Sequence, residues 1–231
     1  IRDRLYVLMG QGEMIDKIPE NVKLLNDHYC KDSVLSKQGK QAMMKTVWRS
    51  FWENGNVFGK FAYIVRTFSA MRRTGKFQPD KILWRVISDG SPRFEETYDL
   101  AVAYLEGGST YYVADHVKAK KKAAFIHIDY ENSGYTRGMD RNCFDKMDRI
   151  FTVSDEVKKH FLNVYPKYQD KVKVFHNIIN QDEIRRKAEE ETGFEDHFDG
   201  VRLLTVGRLT YQKAYDIAVS YTHLRAHETA A

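Results

Sequence analysis

The segment VGRLTYQKAYDIA, Val206 to Ala218, carries the residues whose types and spacing point most directly to chemistry. An apolar string ends in Gly207-Arg208, and a short loop leads from there to Lys213 and a new helical pattern. A glycine after a strand lets the backbone bend and approach a ligand closely. Arg208 and Lys213 would set two cations at the carboxyl end of that strand, beside a helix N-terminus. Charge-assisted hydrogen bonds and the helix dipole hold phosphate oxygens in such a place. A turn with two solvated basic side chains has the same sequence. His127, in the string FIHID, falls at the carboxyl end of another expected strand, where ligands of open α/β sheets gather. A core histidine bonded to a backbone carbonyl reads alike. His223 and His227 have the i, i+4 spacing of a helical zinc pair, but no third ligand accompanies them. His116, His160 and His176 have no companion ligands, so no metal site is expected.

Strands and helices must place these residues. From about residue 98 onward, short apolar strings alternate with helical patterns: Leu100–Leu105, Ala123–Ile128, Arg149–Ser154, Val172–His176 and Leu203–Gly207. Their near-continuous hydrophobicity suits strands of a parallel sheet. Between them, Asp155–Val164 reads as a helix capped by Ser154, and Asp182–Glu191 as one that follows Asn180. Lys118–Lys122 reads as a solvated stretch before a strand. Arg4–Gly10 and Asn21–Asn26 read as two further strands. Met44, Val47, Trp48 and Phe51 share one helical face, Asn54-Gly55-Asn56 interrupts it, and a second helix carries Phe58, Phe61, Ala62, Val65 and Phe68. The βαβ rhythm predicts an α/β fold, a Rossmann-like parallel sheet with flanking helices and the start of a second such domain. The first domain is expected over 1–194, a linker over 195–200, and the second domain from 201 to 219. The last residues, SYTHLRAHETAA, break the apolar spacing and read as a foreign tail over 220–231.

Composition narrows the class. The 231 residues are 42% hydrophobic and 30% charged, which is globular and neither disordered nor collagen-like. Two distant cysteines, Cys30 and Cys143, make a disulfide scaffold or a four-cysteine zinc site unexpected and a reducing, cytoplasmic home the default. No apolar run approaches the ~20 residues of a membrane-spanning helix. The net charge of +5 is uneven: residues 37–76 hold nine cations and one acid, Glu53, a local +8 that leaves −3 elsewhere. Three readings fit this segment. It is a charged outer face over packed apolar residues, a membrane-surface patch of interleaved aromatics and cations, or a single-stranded nucleic-acid surface. The helical period and the lack of any RNA-binding signature count against the last.

The string from Gly207-Arg208 through Lys213 to Asp216 resembles the family-4 glycosyltransferases, retaining enzymes of the GT-B fold, whose pattern reads GRL…QKG[YF]D. Ala214 stands where the family prefers Gly. Tyr98–Tyr130 is similar to the family's YDVAI-YLEG…KKIAWIH-DY segment, Phe151–Phe161 to VSE-x-VKK-x-F, and Val172–Asn180 to V-x-V-I-x-N-[GI]. The resemblance covers about 120 residues in family order. It implies a nucleoside-diphosphate sugar as donor substrate, with no cofactor, and a glycan or lipid-linked acceptor. Gly207, Arg208 and Lys213 would hold the donor diphosphate and His127 would face the reaction centre. Gly107, Asp129 and Tyr130 would line the acceptor side. It favours the membrane reading of the basic segment, with Lys45, Trp48, Arg49, Trp52, Arg72 and Arg73 as the patch, on the inner membrane face. It also implies that the family's paired glutamates and its glycine-rich first loop fall outside this sequence, so the chain is expected to be truncated at both ends and inactive by itself. A non-catalytic nucleotide-binding relative and a membrane-surface adaptor of the same fold remain the alternatives.

Overall fold

The computed structural model describes residues 3–74, 78–190, 200, 204–207 and 213–220. The chain divides into two compact units, 1–179 and 180–231. Residues 195–199 of the expected linker and 221–231 of the expected tail lie outside the described residues.

The first unit opens with two short parallel strands, β1 (Asp3–Leu5) and β2 (Val22–Leu24). Both are shorter than their apolar strings predict. Beyond Leu5 the Asn26 side chain takes the place of the next ladder rung: its Oδ1 accepts from Val7 N–H at 2.9 Å and its Nδ2 donates to Val7 O at 2.8 Å. Gly10, at φ 58°, then turns the chain away.

Three helices follow. Ser36 starts α1 (Lys37–Trp52) by accepting the Gly39 N–H at 2.9 Å. Asn54, at φ 41°, and Gly55 break it, and Asn56 accepts the Gly59 N–H at the start of α2 (Val57–Thr74). The basic segment is thus two helices, as its periodicity predicts. The third helix, α3 (Pro79–Gly90), is absent from the sequence reading; it packs on both of them. A Cβ on Gly90 would sit 2.0 Å from Ser50 O, so only glycine allows α1 and α3 to approach so closely.

A four-stranded parallel sheet carries the rest of the unit: β3 (Thr97–Ala103), β4 (Lys118–Ile126), β5 (Arg149–Thr152) and β6 (Val172–Val174), in that spatial order. Between them run α4 (Gly108–His116), the single turn α5 (Arg137–Asp140) and α6 (Asp155–Val164). The architecture is α/β, with parallel strands and flanking helices. Right-handed crossovers through strands in sequential order lay their helices on one face of a sheet. The buried residues agree. Ala101, Ala103, Ala124, Ile126, Ile150 and Val172 share one core with Tyr111 of α4 and Phe161 of α6.

The Lys118–Lys122 stretch is corrected: it is the first half of β4. Three of its lysines stay exposed and reach acids on neighbouring segments: Lys118 pairs with Glu95 at 2.9 Å, Lys120 with Asp99 at 2.6 Å and Lys121 with Asp148 at 2.8 Å, while the half-buried Lys122 donates to Ala114 O at 3.0 Å. Helix α4 is also new, because Ser, Thr, Tyr and Val are poor helix formers and only their burial pulls them into a helix.

In the second unit, Asn180 caps α7 (Gln181–Ala188) by accepting the Glu183 N–H at 3.1 Å. Residues 215–220 are helical. The expected strand at Leu203–Gly207 is corrected for its described residues: 204–206 join no sheet, and Leu204 and Val206 are exposed. A strand holds its shape through a hydrogen-bonded neighbour, and none of the described residues supplies one here.

Candidate functional site

Because β3 to β6 are parallel, their carboxyl ends share one edge, and of the predicted site residues this edge gathers Gly107, His127 and Asp129. Past β3 come Glu106 and Gly107. Gly107 adopts φ 74°, a conformation that a side chain disfavours, and an added Cβ would lie 2.3 Å from the Tyr135 hydroxyl. It stands at the N-cap of α4 and turns the chain from strand to helix, so the α4 N-terminus faces this edge.

His127 follows β4 directly. Its backbone N–H donates to Glu106 Oε2 at 3.0 Å, and the same carboxylate oxygen lies 3.8 Å from His127 Nδ1. That ring nitrogen is buried and has no hydrogen-bond partner. The imidazole packs against Phe125, with ring centroids 6.1 Å apart, and against Tyr104 at 5.6 Å. The core-histidine alternative, a ring bonded to a backbone carbonyl, is therefore not what stands here. Glu106 thus stands beside the imidazole without a hydrogen bond to the ring, and the pair sets a carboxylate and an imidazole together at this edge, two group types that acid–base chemistry uses. Glu106 is the residue that sequence reasoning missed. Its signal was an acid directly before Gly-Gly at the end of an apolar string, but only the pairing of β3 with β4 brings it to His127.

Asp129 lies in the loop beyond His127. Its Oδ1 accepts the backbone N–H groups of Glu131 and Asn132, and its Oδ2 accepts from Asn132 Nδ2 at 2.7 Å. The Asn132 side chain first, then backbone donors and the His160 imidazole, hold this carboxyl below the usual range against the opposing effect of burial. Asp129 shapes the loop and remains partly open to solvent. His160, without companions in sequence, sits 3.1 Å from both Asp129 Oδ1 and Glu131 Oε2. His116 likewise meets Asp89, at 3.0 Å. Among the described residues, no group of three such side chains is arranged to hold a metal ion.

Tyr130 is a correction. It is fully buried, its hydroxyl donates to Asp140 Oδ1 at 2.9 Å and its ring stacks on Tyr135 at 5.4 Å. A side chain enclosed by the core presents nothing to an acceptor.

In the second unit, Gly207 and Lys213 come together: a Cβ built on Gly207 would lie 3.6 Å from Lys213 Cε and 2.7 Å from the Tyr215 hydroxyl. Arg208 lies outside the described residues. Ala214, in the position where the resembling pattern has Gly, takes φ 51°. Left-handed backbone explains a preference for glycine there and is mildly strained for alanine.

Lys45, Trp48, Trp52, Arg72 and Arg73 lie on the outer sides of α1 and α2, and Arg49 pairs with Glu53 at 3.6 Å. Lys60 departs from the basic surface. It is buried and donates to Ser50 O and Glu53 O, both at 2.6 Å, where it caps the C-terminus of α1.

In comparisons with known proteins, no protein-family model and no curated protein matches the chain. Fold and edge together define an α/β protein with a Rossmann-like parallel sheet whose carboxyl edge carries a Glu106–His127 pair.

Proposed function

We propose that the chain is part of a retaining glycosyltransferase of the GT-B type, which moves a sugar from a nucleoside-diphosphate sugar to a glycan or lipid-linked acceptor. The observation that carries this reading is the carboxyl edge of the sheet. There Gly107, the α4 N-terminus and the Glu106–His127 pair meet, at the place where open α/β sheets bind ligands. The neighbourhood of Gly207 and Lys213 in the second unit supports a donor-phosphate site.

In this reading the bond from the anomeric carbon to the diphosphate breaks, the acceptor oxygen takes its place on the same face of the sugar, and the acceptor's proton passes to the departing diphosphate. Negative charge grows on the departing diphosphate, and Arg208 and Lys213 offset it with positive charge. His127, with Glu106 beside it, acts at the reacting sugar in this reading. The protein works in the cytoplasm, peripheral on the inner membrane face.

A donor screen on the full-length protein, followed by kinetics of variants, tests the reading. Arg208→Ala and Lys213→Ala are each expected to lower kcat on the order of 10²–10³, because the charge they address is largest in the transition state. His127→Ala lowers turnover and spares nucleotide affinity. Wild-type kcat and nucleotide affinity in both Arg208→Ala and Lys213→Ala would sink the proposal.

A further inference from the structure

We infer that the outer surface of α1 and α2 docks on an anionic lipid bilayer, with aromatic side chains in the interface and arginines and lysines on headgroup phosphates. The inference rests on the peripheral location given in the sugar-transfer reading and names its surface; vesicle binding is read without donor or acceptor, so its failure is distinct from a failure of that reading.

The helical period sets the surface. On α2, Lys60, Tyr63, Thr67 and Met71 turn inward and are buried. Phe58, Phe61, Val65 and Phe68, at i, i+3, i+7 and i+10, form a stripe on the opposite side, with Phe58 87% exposed. On α1, Gly39 and Ser50 face inward, while Met44, Trp48 and Trp52 form an outward stripe, with Trp48 67% exposed. The two indoles pack edge to face at 5.7 Å. Seven large apolar side chains left in water on two helices exceed the scattered apolar residues of an ordinary surface.

Charge selects the occupant. Lys37, Lys40, Lys45, Arg66, Arg72 and Arg73 take part in no ion pair among the described residues, and the one acid of the two helices and their connection, Glu53, is engaged by Arg49. A protein partner would have to supply every compensating acid, whereas an anionic bilayer presents a continuous field of them. Arg66 and Arg73 flank the α2 stripe on one side, and Arg72 lies within it, its guanidinium 5.9 Å over the Phe68 ring. A shallow depression of about 490 Å³ is lined by Ile64, Val65, Phe68, Ser69, Arg72 and Arg73, so apolar and cationic side chains share it. Those are the two chemistries met at the boundary of acyl chain and phosphate. Among the described residues no helix is long and apolar enough to cross a membrane, so the pair lies on the surface.

The experiment is co-sedimentation of the 231-residue chain with phosphatidylcholine vesicles, with and without phosphatidylglycerol, at low and high salt. The chain is expected to bind the anionic vesicles and to be released by salt. Trp48 and Trp52 emission should shift to the blue on binding, and Trp48→Phe/Trp52→Phe should lose the shift. Arg66→Gln/Arg72→Gln/Arg73→Gln should weaken binding on the order of a hundredfold, from three surface cations lost. Phe58→Ser/Phe61→Ser should weaken it at high salt more than at low. Circular dichroism checks that these exposed substitutions leave the fold intact. Absence of binding, equal binding to neutral and anionic vesicles at every salt, or wild-type binding by the triple arginine variant overturns the inference. So does a concentration-dependent dimer that shifts the tryptophan emission without lipid, which would assign the surface to a second copy of the chain.

Discussion

At the scale of single residues, the strongest chemistry of the first unit is structural. Asp140 is buried and accepts three tyrosine hydroxyls: Tyr111 and Tyr130 donate to its Oδ1 at 2.8 and 2.9 Å, and Tyr165 donates to its Oδ2. Arg85, only 1% exposed, donates to Met139 O and Asp140 O, pairs with Asp115 at 2.5 Å and lies 3.9 Å over the Tyr111 ring. Asp140→Ala would leave three hydroxyls without their acceptor, and is expected to cost about 3–5 kcal/mol in urea unfolding. Burial pushes the Asp140 carboxyl above the usual range, against the pull of the tyrosine hydroxyls and Arg85. With a raised folded-state pKa, its contribution is fully present below the unfolded pKa and is lost as pH rises through the folded one. The stability difference between wild type and Asp140→Asn should therefore move against wild type over the pH range above the usual carboxyl value. A difference that stays constant across that window would show that the carboxyl titrates alike in the folded and unfolded chain. None of this network was legible in the sequence, since its members come from α3, α4, α5 and the segments around them. His127 was legible as a strand-end histidine, while its partner Glu106 was not.

At the scale of elements, the helix caps were the most legible feature. Ser154 accepts the Val157 N–H at 3.2 Å and α6 begins and ends where its apolar spacing does. Ser154→Ala is expected to lower stability by about 1 kcal/mol and Ser154→Asp to keep it, because the side-chain acceptor for the N-terminal N–H is what matters. Equal thermal midpoints for wild type and Ser154→Ala would show that the cap contributes nothing. Gly107→Ala, forced into φ 74° and against Tyr135, should cost more than Ser154→Ala in the same measurement. Strand ends were less legible. Apolar strings marked where the β3–β6 sheet would be, but Lys118–Lys122 joined β4 because a paired neighbour, β3, was available on one side.

At the scale of the whole molecule, the four-stranded sheet has two unlike faces. Helices cover Ala101, Ala103, Ala124, Ile126 and Ile150. On the other face, Tyr104, Phe125, Phe151 and Phe175 form a row of aromatic rings across all four strands, with neighbouring centroids 5.1–5.9 Å apart. Leu100, Val102, Tyr104 and Phe175 on this face are exposed. Parallel sheets ordinarily bury both faces, whereas these four side chains are exposed. Leu100→Lys and Phe175→Lys are expected to change stability by no more than about 0.5 kcal/mol and to reduce binding of a hydrophobic dye. A loss of several kcal/mol in either variant would mean that the face is covered in solution. The sequence by itself determined the α/β class, the two amphipathic basic helices, the caps at Ser154 and Asn180, and the strand-end place of His127. Each of these rests on period, capping chemistry or local apolar runs, which act over a few residues. Only the tertiary structure decided that Tyr130 belongs to the core, that Lys60 caps a helix, that Glu106 meets His127 and that one sheet face stays open. Those outcomes depend on which separate elements become neighbours, and burial and pairing between elements leave no periodic trace in the chain.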